Sequence, residues 1–262
     1  MPESDLTADL TLLVDAARDA GAIAMRYFKH NPEIWDKGGE HGPVTEADLA
    51  VNVMLMDRLR AARPDYGWLS EETPDDTDRL DADRVFIIDP IDGTRAFIDG
   101  QDSFAHSLAI AEGGQVIAAA VYLPALDRMY SAHAQGPALL NDAVLCASAR
   151  AGIAGASVLT SKPNMQAAHW PGGVPELHRS FRPSLAYRLC LVAEGRFDAM
   201  LAFRPTWEWD IAAGALIAVR AGAAVTDGMG ALLSFNAPDP RTAGVLVAAQ
   251  GLHAELLARR TA

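Results

Sequence analysis

The sequence predicts an α/β protein whose first half is of the α+β type. Three observations carry this. Two helical stretches open the chain, a run of strand-like segments follows from residue 84 to about 141, and beyond residue 150 helices and strands alternate. The change of pattern sets an expected boundary between an N-terminal part, 1–148, with an antiparallel sheet, and a C-terminal α/β part, 149–262.

Residues 4–30 read as a helix because Leu6, Leu10, Leu13, Ala17, Ala24 and Phe28 recur at helical spacing, with Ser4 or Thr7 as the cap. The loop "NPEIWDKGGEHGP" follows, broken by glycine and proline. Thr45 then opens a second helix, "TEADLAVNVMLMDRLRAA", and Thr45 with Asp48 has capping-box spacing, Asp replacing the usual Glu. "RVFIIDPI" is a buried strand; "SFAHSLAIA", "QVIAAAVYLP" and "DRMYSA" are separated by turn-like stretches and read as an antiparallel meander. The second half reads as strand "ASVLT", helix "SLAYRLCLVAEG", strand "DAMLAF", helix "WDIAAGALIAVRAG", strands "AAVTD" and "GVLVAA", and a last helix.

The formal net charge of −12 and the lack of a Lys/Arg cluster exclude a polyanionic partner such as DNA. Cys146 and Cys190 belong to no CxxC pair, so reduced thiols are expected rather than a disulfide scaffold. The start "MPESDLTADL" lacks an apolar signal core, and no apolar run reaches the ~18 residues of a membrane span. A cytoplasmic protein without membrane partner is expected. The histidines show no metal-ligand spacing.

The chemistry concentrates in "FIIDPIDGTRAFIDG". An apolar strand stops at Asp89 and Asp92, around a proline that stiffens the chain. Both side chains and the Ile91 carbonyl can then converge on one point. Asp48, Glu71, Glu72 and Asp210 are candidate partners from distant segments. Carboxylates at ~4 Å repel by roughly 4 kcal/mol per pair at an effective dielectric of ~20, so the group requires a cation. Oxygen-only ligands select a hard ion, Mg²⁺ before Mn²⁺ or Ca²⁺. Gly93 and Thr94 allow a turn into the short helix "GTRAFI", whose free N–H groups beside a cation form a phosphate site. Taken singly, Asp48 and Asp210 also suit helix caps; the six-residue string "DPIDGT" points to a site.

Four strings, "PVTEAD" (43–48), "SEE" (70–72), "IIDPIDGT" (87–94) and "WDIAAG" (209–214), resemble the inositol monophosphatase family of metal-dependent phosphomonoesterases, in its order and at its separations. The resemblance implies a layered αβαβα sandwich, a homodimer, and two or three Mg²⁺ ions, with Mn²⁺ a possible substitute. It implies that Glu71, Asp89 and the Ile91 carbonyl hold one ion and that Asp89, Asp92 and Asp210 hold another. Thr94 and Asp48 would orient the attacking water and help deprotonate it, and the Gly93 and Thr94 amides would grip the phosphate. The glycine-rich loop 36–43 would match the family's mobile loop. The implied reaction is metal-assisted hydrolysis of a small phosphorylated metabolite; no nucleophilic Ser or Cys motif calls for a covalent intermediate.

The family divides among inositol phosphates, 3′-phosphoadenosine 5′-phosphate, histidinol phosphate and sugar bisphosphates. Arg95 stands where inositol phosphatases tend to carry Asn, "RPSLAYR" replaces a small turn, and "LAFRP" lacks an acid used on inositol hydroxyls. "EWDIAAG" and "SLAYRLCLVAEGRFD" look like the 3′(2′),5′-bisphosphate nucleotidases. Arg95 and Ser184 are therefore expected among the substrate contacts, although Ser184 also suits a helix cap; Glu208 is expected to be exposed. The alternatives are an inositol-1-monophosphatase or a histidinol-phosphate phosphatase. From another class there is a non-catalytic partner in a transcription complex, against which the complete acid set argues. A Ca²⁺-binding module lacks an EF-hand pattern.

Overall fold

The computed structural model describes residues 3–38 and 42–261. Helix α1 (Glu3–Tyr27) and the short hairpin β1 (Ile34–Asp36)–β2 (Pro43–Thr45) lead to helix α2 (Glu46–Ala62). Strands β3 (Gly67–Ser70) and β4 (Arg84–Asp92) follow, then the five-residue helix α3 (Thr94–Ile98). Next come β5 (Ala105–Glu112), β6 (Gln115–Leu123), β7 (Arg128–His133), β8 (Leu139–Leu140) and β9 (Ala143–Val144). Beyond them lie β10 (Ser157–Thr160), β11 (His178–Ser180), α4 (Leu185–Ala193), β12 (Ala199–Ala202), β13 (Thr206–Trp207) and α5 (Glu208–Arg220). The chain closes with β14 (Ala224–Thr226), β15 (Arg241–Thr242), β16 (Val245–Ala248) and α6 (Gln250–Thr261).

The larger sheet has seven strands in the order β3 to β9, and the smaller has five in the order β11-β10-β12-β16-β14. Strand alternation fixes what covers each face. On the larger sheet, Phe86, Ile88, Leu108 and Ile110 bury against α1 and α2, through Leu13, Ala17, Val51 and Leu55. Val85, Ile87, Ala109 and Val121 point the other way, toward Leu189 and Cys190 of α4 and Ile211 and Ala212 of α5. The same apolar core takes Leu159, Met200, Val245 and Val247 from one face of the smaller sheet. Val158, Leu201 and Leu246 on its far face bury against Leu252 and Leu256 of α6. The layers therefore run α1/α2, sheet, α4/α5, sheet, α6, the αβαβα sandwich. One core crosses the 148/149 position, because α4 and α5 belong to the second half yet cover the first half's sheet. Gly214 permits their close approach: a Cβ there would stand 2.7 Å from Leu189 Cβ.

Several expectations need correction. Helix α1 starts before Ser4 and includes Thr7, so neither residue stands at its beginning. Strand β3 pairs parallel with β4, making the first sheet mixed rather than a pure meander. Strand β4, expected over 84–91, runs one residue further to Asp92, with a bulge between Asp89 and Asp92, since Asp89 faces Ser107 and Asp92 faces Ala105 on β5. Of the loop 36–43, Gly39, Glu40 and His41 lie outside the described residues. Among the described residues no helix is long and apolar enough to cross a membrane.

Candidate active site

The bulge in β4 turns Asp89 and Asp92 toward the seam between the sheets, and Gly93, with φ of +95°, turns the chain into α3. His106 on β5, which sequence reading missed, fixes the bulge from behind. Its Nδ1 lies 2.5 Å from the Pro90 carbonyl, which as an acceptor places the proton on Nδ1. Burial pushes the His106 value down to about 4, keeping the ring neutral. The only signal in the sequence was a lone histidine in the apolar run "SFAHSLAIA". The Ser107 hydroxyl donates to the Trp209 carbonyl at 2.9 Å and so fastens the start of α5, which carries Asp210, to the strand opposite Asp89.

One carboxylate oxygen each from Glu71, Asp89 and Asp210 lies within 4.8 Å of the others. Asp89 is buried, and its Oδ1 has no hydrogen-bond partner among the described residues. Burial is the main cause that pushes the Asp89 carboxyl well above the usual range, followed by the charges of Glu71, Asp92 and Asp210. Asp210 is raised for the same reasons, burial first. Clustered anionic oxygens with an unsatisfied buried lone pair fit a hard divalent cation, and among the described residues no nitrogen or sulfur ligand joins the cluster.

A cleft of about 440 Å³ contains this cluster. Of the residues singled out in the sequence, Glu71, Asp89, Ile91, Asp92, Gly93, Thr94, Arg95 and Asp210 line it. Asp48 and Ser184 do not. Asp48 reaches the cleft through Thr94, whose hydroxyl oxygen lies 3.2 Å from Asp48 Oδ1 and 3.1 Å from the Ile91 carbonyl. The expected capping box is present: the Thr45 amide and hydroxyl donate to Asp48 Oδ2 at 2.9 and 2.6 Å. Ser184 is corrected from substrate contact to support. It is fully buried, its oxygen accepts from the Tyr187 amide at the start of α4, and its proton goes to Asp92 Oδ2 at 2.6 Å. The Ala186 amide donates to the same oxygen at 2.6 Å, so Asp92 has one oxygen engaged by α4.

Glu208 is also corrected. It is fully buried, and its carboxylate accepts from the Asn236 and Ala237 amides at 2.6 and 3.0 Å. Arg79 reaches the same segment, donating to Asn236 Oδ1 at 2.6 Å and to the Ala237 carbonyl at 2.9 Å. Polar side chains thus join the segment after Glu71 to the helix carrying Asp210. Glu208→Ala leaves two amides without acceptors, and urea denaturation is expected to show a loss of about 2–4 kcal/mol. An unchanged midpoint would refute this brace.

Lys37 donates to Glu71 Oε1 and Glu72 Oε1, both at 2.8 Å, so the acids already draw one cation from the neighbouring loop. The cations that line the cleft itself include Arg95, Arg188, Arg204 and Arg241.

The profile described as "Inositol monophosphatase family" matches residues 5–262. The chain is 34% identical over 241 residues to an inositol-1-monophosphatase of Rhizobium meliloti (strain 1021), covering 86% of this chain and 87% of that protein. It is 33% identical over 224 residues to the 3′(2′),5′-bisphosphate nucleotidase CysQ of Escherichia coli (strain K12), covering 84% and 91%. The fold matches the crystal structure of extragenic suppressor protein suhB from Bartonella henselae with a TM-score of 0.82 and 26% identity, over 96% of this chain and 98% of that one. The chain belongs to the inositol monophosphatase family of phosphatases.

Proposed function

We propose that this phosphatase hydrolyses a small phosphomonoester bearing a second anionic group, with a 3′(2′),5′-bisphosphate nucleotide such as 3′-phosphoadenosine 5′-phosphate as the favoured class. One observation carries the reading: Arg95 and Arg204 line the same cleft as the acids, both are exposed, and neither has an ion-pair or hydrogen-bond partner for its guanidinium among the described residues. A compact monophosphate leaves such groups unused. A second phosphate meets them with charge-assisted bonds.

Glu71, Asp89, Asp92, Asp210 and the Ile91 carbonyl are the groups that would hold Mg²⁺. When bound, the cation supplies charge neutralisation at the phosphoryl group and acidifies a water. The chain's own residues do the rest. The Gly93 and Thr94 amides bind the phosphate. Thr94 orients the attacking water by accepting its proton while passing its own to the Asp48 carboxylate. The homodimer implied by the resemblance and the cytoplasmic setting expected from the sequence belong to this proposal as well.

A substrate panel of 3′-phosphoadenosine 5′-phosphate, inositol 1-phosphate and histidinol phosphate, with Mg²⁺ and with chelator, tests the reading. The bisphosphate is expected to give the highest kcat/KM and chelator to abolish turnover. In Arg95→Ala, the ratio of kcat/KM for bisphosphate to that for inositol 1-phosphate is expected to fall roughly ten- to a hundredfold. Equal losses on both would mean that Arg95 serves the common phosphate or the fold.

A further inference from the structure

The cleft that holds the acids is also lined by an aromatic ring whose placement the hydrolytic reading does not use. Phe181 lines the cavity and is 47% exposed. Isolated exposed aromatics are ordinary on surfaces, but this one is held in place. The Arg188 guanidinium lies over its ring, 4.4 Å from the centroid, and is itself almost buried at 8% exposure. Arg188 donates through Nε to the Arg182 carbonyl at 2.5 Å and through Nη2 to the Pro183 carbonyl at 3.0 Å. Arg182 in turn donates to the Phe181 carbonyl at 2.7 Å. The next residues of the same segment, Ser184 and Ala186, donate to Asp92. These hydrogen bonds and one cation–π contact therefore hold the ring on the same backbone segment that binds Asp92.

One face of Phe181 is covered by the cation, and about half of the residue, which lines the cleft, is still open. The Trp207–Trp209 pair in the same cleft offers no comparable surface. The two indoles are stacked on each other at 4.6 Å and 8°, and Arg241 covers Trp207 at 5.2 Å. A rigid, half-open ring backed by a guanidinium suits a flat π-system and does nothing for a polyol, which needs hydrogen-bond partners.

We propose that Phe181, held by Arg188, is the stacking platform for a nucleobase on the leaving group, and so the residue that separates nucleotides from polyol phosphates. The proposal rests on the phosphatase reading above but names a different determinant from the arginines. Phe181→Leu keeps the apolar bulk and removes the flat ring; Phe181→Trp enlarges it. For each protein, kcat/KM is measured on 3′-phosphoadenosine 5′-phosphate and on the abasic deoxyribose 3,5-bisphosphate. The base-to-abasic ratio is expected to fall at least about fivefold in Phe181→Leu, through KM, and to be kept or raised in Phe181→Trp. Calorimetric binding of adenosine 5′-monophosphate and of ribose 5-phosphate is expected to show the same loss of ratio. An unchanged ratio in Phe181→Leu in these measurements overturns the platform. If the wild type instead prefers inositol 1-phosphate to both bisphosphates, the second-anion reading fails, and the binding ratio alone still decides the platform.

Discussion

Asp89→Asn is expected to lose at least about a thousandfold in kcat while making the metal-free protein more stable. Both effects come from one geometry. Asp89 is buried beside Glu71, Asp92 and Asp210, with an oxygen that no described residue satisfies. Under the proposed metal role that oxygen is a shared anionic ligand, and its loss would remove several kcal/mol of charge stabilisation, where each 1.36 kcal/mol is about tenfold. In chelator the same carboxyl is a liability. Its folded value stands above the unfolded value near 3.8, with burial the largest cause and Glu71 the next. A raised carboxyl favours the folded state while protonated, and that contribution is lost as pH rises through the folded value. The metal-free wild type is therefore expected to be more stable near pH 5 than near pH 8. Asp89→Asn should flatten this slope and melt about 2–4 °C higher in chelator at pH 8, for about 1 kcal/mol at this chain length. Undiminished turnover would end the proposed metal role; a lower melting point in chelator would end the repulsion argument.

The part of the site that was legible is the part encoded locally. "DPIDGT" specifies a stiff backbone, two acids and a left-handed glycine in six consecutive positions, and the structure assembles it as one bulge and one turn. The Thr45–Asp48 capping box was legible for the same reason. The misread residues are those whose roles depend on distant partners. Glu208 looked exposed because its acceptors' partners, the amides of Asn236 and Ala237, lie 28 and 29 positions away. Ser184 looked like a substrate contact until Asp92, 92 positions earlier, claimed its proton. His106 had no visible purpose without the bulge it braces. Strand β3 was missed because its four residues are too few to establish a period, and it exists by pairing with β4. In the layering, by contrast, local pattern sufficed to place helices and long strands; what it lacked was the fact that α4 and α5 serve both sheets.

The second large effect concerns Asp48, which is not among the described residues lining the cleft and meets it through the Thr94 hydroxyl. If Asp48 acts as proton acceptor for Thr94, Asp48→Asn should lower kcat by about 10²–10⁴ with little change in KM. Thr94→Val should cost as much, and the double variant little more, because the two act as a unit. Burial, the largest cause, pushes the Asp48 carboxyl up to about 7, against the pull of its bonds from Thr45. Activity should therefore rise with pH along an acid limb at or below about 7, since a cation bound in the cleft favours the carboxylate. That limb should vanish in Asp48→Asn. Stability carries the opposite sign. A folded value near 7 against about 3.8 unfolded means a contribution present at acid pH and lost by pH 8, on the order of 4 kcal/mol at most. Asparagine can keep the geometry: its oxygen accepts from Thr45, and its amide donates to Thr94, whose proton is then free for the Ile91 carbonyl. Asp48→Asn should accordingly gain on the wild type as pH rises, its advantage in urea titrations being larger at pH 8 than at pH 5 by about 1–3 kcal/mol. A variant less stable by the same amount at both pH values would show that the carboxylate is held for the capping box alone. Additive losses in the double variant would separate Asp48 from Thr94 and leave the threonine without its proton acceptor.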